Sequence, residues 1–155
     1  MSNFIYIPLI NLINDNIDKL DDILSQYLLL LSQLTKTPKI TNQEFMNNLT
    51  KISNMGCIIV CYIINNNNIY IIGSATIIFE PKIIRQGKNV GHIEDIIVDE
   101  KYRSMKIASI LINKLIDLAN ENNCYKVILD CTENISGFYK KIGFEKHGVQ
   151  MSKYF

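Results

Sequence analysis

The hydrophobic residues of this chain recur with two different spacings, and these spacings predict its helices and strands. Apolar residues three or four positions apart predict amphipathic helices over residues 17–34 and 107–120. Another helix is predicted to begin at Thr41 and to end near residue 52, because Thr41 and Glu44 have the spacing of a capping box. Runs rich in β-branched residues predict strands over residues 4–9, 57–64, 69–79, 92–98, 125–131 and 144–154, and a short helix is predicted over residues 135–141.

The order of these elements predicts one mixed α/β domain over residues 1–155. It reads β, α, α, β, β, β, α, β, α, β, with neither an internal repeat nor a linker. The four asparagines at positions 65–68 separate two adjacent strands, which predicts a hairpin with a polar tip. A mixed sheet with helices on both faces is the simplest way to bury the apolar side of every element.

Composition excludes several classes of function. The net charge is +1 and no long basic run occurs, so the features of a nucleic-acid-binding protein are missing. The apolar runs are strand-sized and the N-terminus has no signal-peptide pattern, so we expect no membrane span and a cytoplasmic location. The four cysteines form no CxxC pair and no histidine stands at metal-ligand spacing from them. We therefore predict reduced thiols, mostly in core or half-buried positions, and no metal site, and we see no base for a catalytic cysteine.

A strand, a short basic turn and a helix follow one another in the second half of the chain. The turn spans residues 99–106 and contains Lys101, Arg103 and Lys106. Such a turn directs free backbone N–H groups and the positive end of the helix dipole towards one point, which favours binding of a pyrophosphate. Any strand–turn–helix unit has this geometry, so a solvated basic turn is the alternative interpretation.

The segment from Asn134 to Phe144 predicts a second functional unit. Gly143 can end its short helix in a left-handed conformation and lead the chain into the last strand. Tyr139 would then lie on a helix that faces the same cleft as the basic turn. The alternative is that Tyr139 is only a half-buried aromatic residue, and that Glu94 and Asp95 are only solvated at a strand end.

Together these segments resemble the GNAT acetyltransferase superfamily. The similarity lies in residues 103–108, the helix and strand that follow, and an Asn-x-x-Gly-x-Tyr-x-Lys-x-Gly-Phe pattern over residues 134–144. The chain is more closely similar to the eukaryotic-type glucosamine-6-phosphate N-acetyltransferases, over essentially its whole length. That resemblance rests on residues 34–35, 82–84, 91–96, 124–131, 138–141 and 148–151.

The resemblance implies a GNAT fold, with a mostly antiparallel mixed sheet and a splayed central strand pair, and acetyl-CoA as cosubstrate. The strand over residues 94–98 would pair through its backbone with the pantetheine arm, and the turn after it would hold the pyrophosphate. Tyr139 would lie by the cofactor sulfur. The residues implied in cofactor binding are Ile96, Ile97, Val98, Arg103, Ser104, Met105, Lys106, Ile107, Ala108, Ser109, Asn134, Tyr139, Lys140 and Lys141.

The resemblance also implies an amino sugar phosphate as substrate, on the route to UDP-N-acetylglucosamine. Lys and Arg side chains suit a phosphate, and carboxylates suit amine and hydroxyl groups. The residues implied in substrate binding are Thr35, Lys82, Ile83, Ile84, Arg85, Glu94, Asp95, Ile96, Tyr125, Lys126, Asp130 and Tyr154. Whether Lys153 or Tyr154 reaches the site of a partner subunit is left open.

The predicted reaction is direct transfer of an acetyl group to the 2-amino group of the sugar. Glu94 and Asp95 would orient the amine, and Glu94 is a candidate proton acceptor. A backbone N–H near Ile96 would stabilise negative charge on the carbonyl oxygen. Tyr139 would protonate the departing thiolate, whereas His92 and His147 are interpreted as structural residues. The turn lacks the glycines usual in the superfamily, having Ser104, Lys106 and Ala108 instead, and we expect weaker cofactor binding.

Two other functions compete with this prediction. One is a GNAT enzyme for a different amine, such as a polyamine, an aminoglycoside or a protein N-terminus, and the basic residues Lys82, Arg85 and Lys126 argue against a polycation. The other is a non-catalytic acyl-CoA-binding module. The resemblance further suggests a homodimer with the C-terminal strand at the interface, although the apolar end of the chain also suits an internal strand.

Overall fold

A five-stranded sheet forms the centre of the computed structural model, which describes residues 3–37 and 39–155. Its spatial order follows the chain, and strands β1 to β4 are antiparallel while β5 runs parallel to β4. The strands are β1 (Ile5–Pro8), β2 (Gly56–Asn65), β3 (Asn68–Pro81), β4 (Asn89–Val98) and β5 (Cys124–Ile128). The helices are α1 (Leu9–Asp15), α2 (Leu20–Leu31), α3 (Asn42–Met55), α4 (Ile107–Glu121) and α5 (Ser136–Lys140).

Helices cover both faces of the sheet, as predicted. Side chains of successive strand residues point to opposite faces, so Ile58 and Val60 of β2 pack with α1, α2 and α3, whereas Ile59 and Cys61 pack with α4 and α5. The first layer is not complete, because Ile97 is the one residue of β4 in its buried cluster among the described residues, and β5 contributes none. No helix of the described chain therefore covers β5 and the start of β4 on that side, where Val90 is nonetheless buried.

Three local predictions are confirmed. Thr41 and Glu44 form a capping box at the start of α3. The hairpin between β2 and β3 turns through Asn66 and Asn67, both left-handed, which is the conformation that a two-residue hairpin loop requires. Gly143 has a φ of 100°, in the left-handed region expected after α5.

A β-bulge at Asp95 changes the direction of side chains along β4. Thr76 pairs with Glu94 and Ser74 pairs with Ile97, so Ala75 alone stands opposite both Asp95 and Ile96. Asp95 itself is left-handed, with a φ of 50°. Because of the extra residue, Ile93 packs on the α4 side of the sheet and Ile97 on the α2 side.

The parallel pair at the end of the sheet is splayed. β5 pairs with β4 only through the first four residues of β4, from Asn89 to His92. Beyond His92 the two strands no longer share a ladder, while β4 stays paired with β3 as far as Val98. This divergence leaves one edge of β4 open in the second half of the strand.

Several predicted boundaries are wrong. The strand predicted over residues 144–154 is not formed: these residues have no regular secondary structure and no neighbouring strand in the part of the chain that the structure describes. A strand needs such a neighbour for its backbone groups. The helix predicted over residues 17–34 is a short turn (Ile17–Lys19) followed by α2, and β5 ends at Ile128 rather than residue 131. Helix α1 was not predicted, although Leu9, Leu12 and Ile13 are buried at helical spacing.

The cysteines agree with the prediction of reduced thiols. All four are free, with Cys61 buried, Cys57 and Cys124 half-buried, and Cys131 exposed. Within residues 3–37 and 39–155 no helix is long and apolar enough to cross a membrane.

Candidate active site

The open edge of β4 is the central feature of the candidate site. From Ile93 to Val98 this edge has no strand partner among the described residues, and Ile96, Ile97 and Val98 of the predicted cofactor site lie on it. The Nε atom of Arg103 lies 3.5 Å from the Val98 carbonyl oxygen. Unpaired N–H and C=O groups of an edge can pair with an extended ligand as an added strand. The fold therefore provides a backbone surface for a chain-like ligand.

The turn between β4 and α4 adjoins this edge. The Asp99 carboxylate accepts a hydrogen bond from the Lys101 N–H at 2.9 Å, which starts the short turn Glu100–Tyr102. Ser104 and Lys106 then adopt left-handed conformations, with φ of 67° and 62°. No side chain caps the N-terminus of α4, so the first N–H groups of the helix remain available to an anion. Ile107, Ala108 and Ser109 form this first helical turn.

Lys106 occupies a conformation that favours glycine. A left-handed residue with a Cβ atom costs about 1–2 kcal/mol, and part of this is offset because glycine has more freedom in the unfolded chain. We expect Lys106→Gly to raise the free energy of unfolding by about 0.5 kcal/mol, and Lys106→Ala to leave the strain in place. Urea denaturation checks both variants, and equal stabilities for the two would contradict the strain at Lys106.

Glu94 and Asp95 lie at the bulge of β4, and the carboxylate of Asp130 is near enough to act on Glu94. Burial of its carboxylate, followed by the charges of Asp130 and Asp95, raises the pKa of Glu94 above its ordinary value, although the residue as a whole is exposed. Behind the bulge lies the buried Tyr27, whose hydroxyl group is 3.4 Å from the Ser74 hydroxyl. Burial raises the pKa of Tyr27 to about 12, and the charge of Asp95 adds to this effect. The cluster is therefore suited to a cationic or hydrogen-bond-donating group.

The raised pKa of Glu94 predicts a pH-dependent stability. Between the ordinary pKa and the raised one, the folded chain binds more protons than the unfolded chain, so stability falls as the pH rises through this window. We expect Glu94→Gln to stabilise the chain at neutral pH by no more than about 0.5 kcal/mol, since solvent screens an exposed carboxylate. The gain should vanish below the ordinary pKa. Chemical denaturation at neutral pH and at a pH below the ordinary pKa of Glu measures this gain in the free energy of unfolding, with Glu145→Gln as the control. An equal gain at the two pH values would contradict the raised pKa of Glu94.

Tyr139 is held firmly on α5. It is 8% exposed, and its ring makes edge-on contacts with Phe138 and Phe144, at centroid distances of 5.0 and 6.1 Å. Its carbonyl oxygen accepts hydrogen bonds from the N–H groups of Ile142 and Phe144. Burial, followed by the nearby Cys131, raises the pKa of Tyr139, so its hydroxyl group stays protonated at neutral pH. The ring of Tyr139 is thus part of the core, and its hydroxyl group can still donate a hydrogen bond.

The remaining residues of the predicted cofactor site lie around α5. Asn134 belongs to the short turn Glu133–Ile135, where its Oδ1 atom accepts a hydrogen bond from the Thr132 hydroxyl. Lys140 ends α5 and Lys141 follows it, and both are exposed. These residues and the β4–α4 turn are therefore available to solvent.

The predicted phosphate ligands form a separate basic group near the start of β4. The Arg85 guanidinium and the Lys126 ammonium lie 5.5 and 5.7 Å from the centroid of the Tyr125 ring. Lys82 pairs with Glu80, which also contacts His92 at 2.9 Å. Hydrogen bonds from Lys82 and then His92 lower the pKa of Glu80. Lys82 is thus partly neutralised, whereas Arg85 and Lys126 make contact with an aromatic ring.

One chain does not gather all the predicted substrate residues. The charge of Asp130 acts on Glu94, and the basic group reaches towards Glu94 through Glu80, which contacts both Lys82 and His92, two residues before Glu94. Ile83 and Ile84 are exposed in the loop before β4, and Thr35 is exposed in the turn after α2. Tyr154 is 92% exposed near the C-terminus.

A comparison with known families accounts for this combination of edge, turn and helix. The profile of the acetyltransferase (GNAT) family matches residues 23–144, which is most of the chain. The chain belongs to the GNAT acetyltransferase family. The matched region of this GNAT chain includes the splayed strand, the β4–α4 turn and Tyr139.

Relatives of this GNAT chain carry a more specific name. It is 38% identical to the glucosamine 6-phosphate N-acetyltransferase of Trypanosoma brucei brucei over 83% of this chain and 86% of the relative. It is 37% identical to the Candida albicans protein of the same name, over 86% and 89% of the two chains. The crystal structure of glucosamine-6-phosphate N-acetyltransferase from Arabidopsis thaliana superimposes with a TM-score of 0.84, at 30% identity and 99% coverage of both chains.

Three residues near the GNAT site were not predicted from the sequence. Glu80 holds Lys82 and His92, Tyr27 lies behind the bulge, and Gln33 links the end of α2 to the β4–α4 turn. Glu80 and Lys82 are two residues apart and carry opposite charges, so their pairing could have been foreseen. Nothing in the local pattern around Gln33 indicates a contact 66 residues away.

Proposed function

We propose that this GNAT protein transfers the acetyl group of acetyl-CoA to the 2-amino group of D-glucosamine 6-phosphate. The products are N-acetyl-D-glucosamine 6-phosphate and CoA, and we expect the reaction to supply UDP-N-acetylglucosamine synthesis in the cytoplasm. The observation that carries the proposal is the carboxylate cluster at the bulge of β4, directly beside the open strand edge. The names of the relatives support the same acceptor.

The open edge and the turn fit acetyl-CoA. The edge at Ile96, Ile97 and Val98, which pairs with no other described strand, offers backbone donors and acceptors to the amides of a pantetheine arm. The uncapped N-terminus of α4 suits the pyrophosphate. When bound, acetyl-CoA supplies an activated acetyl group on a thiol leaving group. Other residues would bind the phosphates and the two ends of the pantetheine arm. They are Arg103, Ser104, Met105, Lys106, Ile107, Ala108, Ser109, Asn134, Lys140 and Lys141.

The carboxylates prepare the amine for attack. An ammonium group has no lone pair, so the amine must lose a proton first, and the amine of an amino sugar is weakly basic and partly neutral near pH 7. Glu94, Asp95 and Asp130 attract and orient this group. Glu94 can also accept the last proton, because its raised pKa brings it closer to neutral pH.

Two donors stabilise the charges that develop during transfer. A backbone N–H of the open edge near Ile96 would donate to the carbonyl oxygen, where negative charge develops. Tyr139 would donate its proton to the departing sulfur, a role for which a protonated hydroxyl is required. The raised pKa of Tyr139 keeps the proton in place at neutral pH.

The basic group near the start of β4 would bind the sugar phosphate. Lys82, Arg85 and Lys126 supply the positive charges, and Tyr125 holds two of them over its ring. Thr35, Ile83, Ile84 and Tyr154 would complete the substrate site. Because Ile83, Ile84 and Tyr154 are exposed in the single chain, we infer that two chains share each substrate site.

A homodimer would bring the missing residues together. The face of β4 and β5 that no helix covers is open to a second chain. Val149, Met151, Tyr154 and Phe155 are each at least 90% exposed in the single chain and would be buried at such an interface. Sedimentation equilibrium tests this: we expect a dimer that dissociates when residues 149–155 are removed, and a monomeric full-length chain would contradict it.

The choice of acceptor is tested by measuring CoA release with glucosamine 6-phosphate and with glucosamine. We expect kcat/KM to be about 10²-fold higher for the phosphorylated sugar, since charge-assisted hydrogen bonds to the phosphate would be lost. Arg85→Ala should reduce this preference, and Lys88→Ala in the same loop is the matched control. Equal use of both sugars would refute the phosphate site, faster use of a polyamine would indicate another acceptor, and CoA binding without turnover would indicate a non-catalytic module.

A further inference from the structure

Gln33 joins two parts of the site that are far apart in the sequence. It lies in the turn directly after α2, where its N–H group donates to the Leu30 carbonyl oxygen. Its side-chain Nε2 atom donates to the Asp99 carboxylate at 2.9 Å, and its Oε1 atom accepts from the Glu100 N–H at 3.1 Å. Both polar atoms of one amide are therefore used, on neighbouring residues of the β4–α4 turn.

Asp99, which accepts the hydrogen bond from Gln33, also holds the turn that precedes α4. Its N–H group donates to the Ile72 carbonyl oxygen, and its carbonyl oxygen accepts from the Tyr102 N–H, both at 2.9 Å. One carboxylate oxygen binds the Lys101 N–H and the other binds Gln33. The same residue thus anchors β4 to β3, begins the turn towards Ser104 and Lys106, and receives Gln33.

On the other side of the contact, Gln33 fixes the segment after α2. The backbone N–H groups of residues 32–35 bond only to carbonyl groups of α2, and these residues are exposed. Among the described residues, the Gln33 amide makes the only hydrogen bonds between this segment and any element other than α2. Thr35, which we propose as a substrate ligand, is two residues further along.

We propose that Gln33 is a positioning residue that holds the Thr35 segment and the cofactor turn in one arrangement. This inference rests on the proposed function, since it assumes a sugar phosphate at Thr35 and CoA at the turn. Removing the amide frees both segments, so each ligand has to order its own segment on binding, and both KM values rise while the reacting groups at Glu94 and Tyr139 stay in place.

Steady-state kinetics of Gln33→Ala test this role. We expect KM for both glucosamine 6-phosphate and acetyl-CoA to rise about threefold to tenfold, the effect of losing an exposed pair of hydrogen bonds, with little change in kcat. Gln43→Ala is the matched control, because the Gln43 amide bonds only to Asn47 one turn along α3. Unchanged KM values, or a fall in kcat alone, would overturn the proposal.

A double-mutant cycle separates positioning from a general loss of stability. Gln33→Glu places a carboxylate against Asp99 and should raise both KM values, while adding Asp99→Asn restores a donor opposite Glu and should recover most of the loss. Failure of this rescue would contradict the contact. If the wild-type chain does not turn over glucosamine 6-phosphate, the proposed function fails; calorimetric titration with CoA alone still tests whether Gln33 positions the turn.

Discussion

Replacing Tyr139 by phenylalanine is expected to lower kcat by about 10²–10⁴-fold, the effect of removing a positioned proton donor. The substitution removes only the hydroxyl group, so the ring contacts with Phe138 and Phe144 remain. Binding of acetyl-CoA should therefore be unchanged. Burial keeps the hydroxyl protonated in the wild-type chain. Assays of CoA release measure kcat, and calorimetry measures the affinity for acetyl-CoA separately.

The leaving group provides a sharper form of this test. If Tyr139 protonates the departing sulfur, an acetyl thioester whose thiol is more acidic needs less help, and the deficit of Tyr139→Phe should shrink. Tyr70→Phe, on the exposed side of β3, is the control for loss of a tyrosine hydroxyl. An unchanged kcat in Tyr139→Phe would remove this residue from the mechanism.

Replacing Gly56 by alanine is expected to destabilise the chain by about 3 kcal/mol, the upper end of the usual cost of overpacking. Gly56 begins β2, and a Cβ atom there would stand 1.8 Å from the Ile77 carbonyl oxygen and 2.9 Å from the Ile78 Cα atom. These are backbone atoms of the paired strand β3, so they cannot move aside as the end of a side chain can. Thermal unfolding should show a melting temperature lower by about 6–12 °C.

Gly137 gives the matched control for this substitution. It lies in α5, and a Cβ atom there meets no atom within 4 Å. Gly137→Ala should thus leave stability unchanged or raise it by up to about 1 kcal/mol, as helix propensity predicts. Equal changes in stability for the two alanine substitutions would contradict the close packing of Gly56 against the backbone of β3.

Local signals in the sequence were sufficient to predict the sheet and most helices. The capping box at Thr41, the asparagine turn and Gly143 each depend on interactions within a few residues, and each is formed as expected. The strand over residues 144–154 failed because a strand depends on a neighbour that a single chain does not provide. Its exposed apolar residues, Met151 among them, indicate why the pattern looked like a strand.

The residues of the candidate site were selected by their chemistry, but the sequence did not indicate their geometry. Glu94, Asp95 and Tyr139 could be singled out by residue type and by resemblance, whereas the bulge that separates Ile93 from Ile97 has no glycine to indicate it. The glycine-free turn was expected to weaken cofactor binding. In the structure Ser104 and Lys106 adopt the left-handed conformation nonetheless, so the turn keeps its shape at a cost in strain. Contacts such as that of Gln33 depend on tertiary structure alone.

A crystal structure with CoA and N-acetyl-D-glucosamine 6-phosphate tests the central claim most directly. We predict that the pantetheine arm lies along the open edge at Ile96–Val98, with the sulfur beside the Tyr139 hydroxyl. We also predict that the amide nitrogen of the sugar lies beside Glu94 and Asp95. A pantetheine arm bound away from this edge, or a sugar bound with its nitrogen remote from both carboxylates, would contradict it.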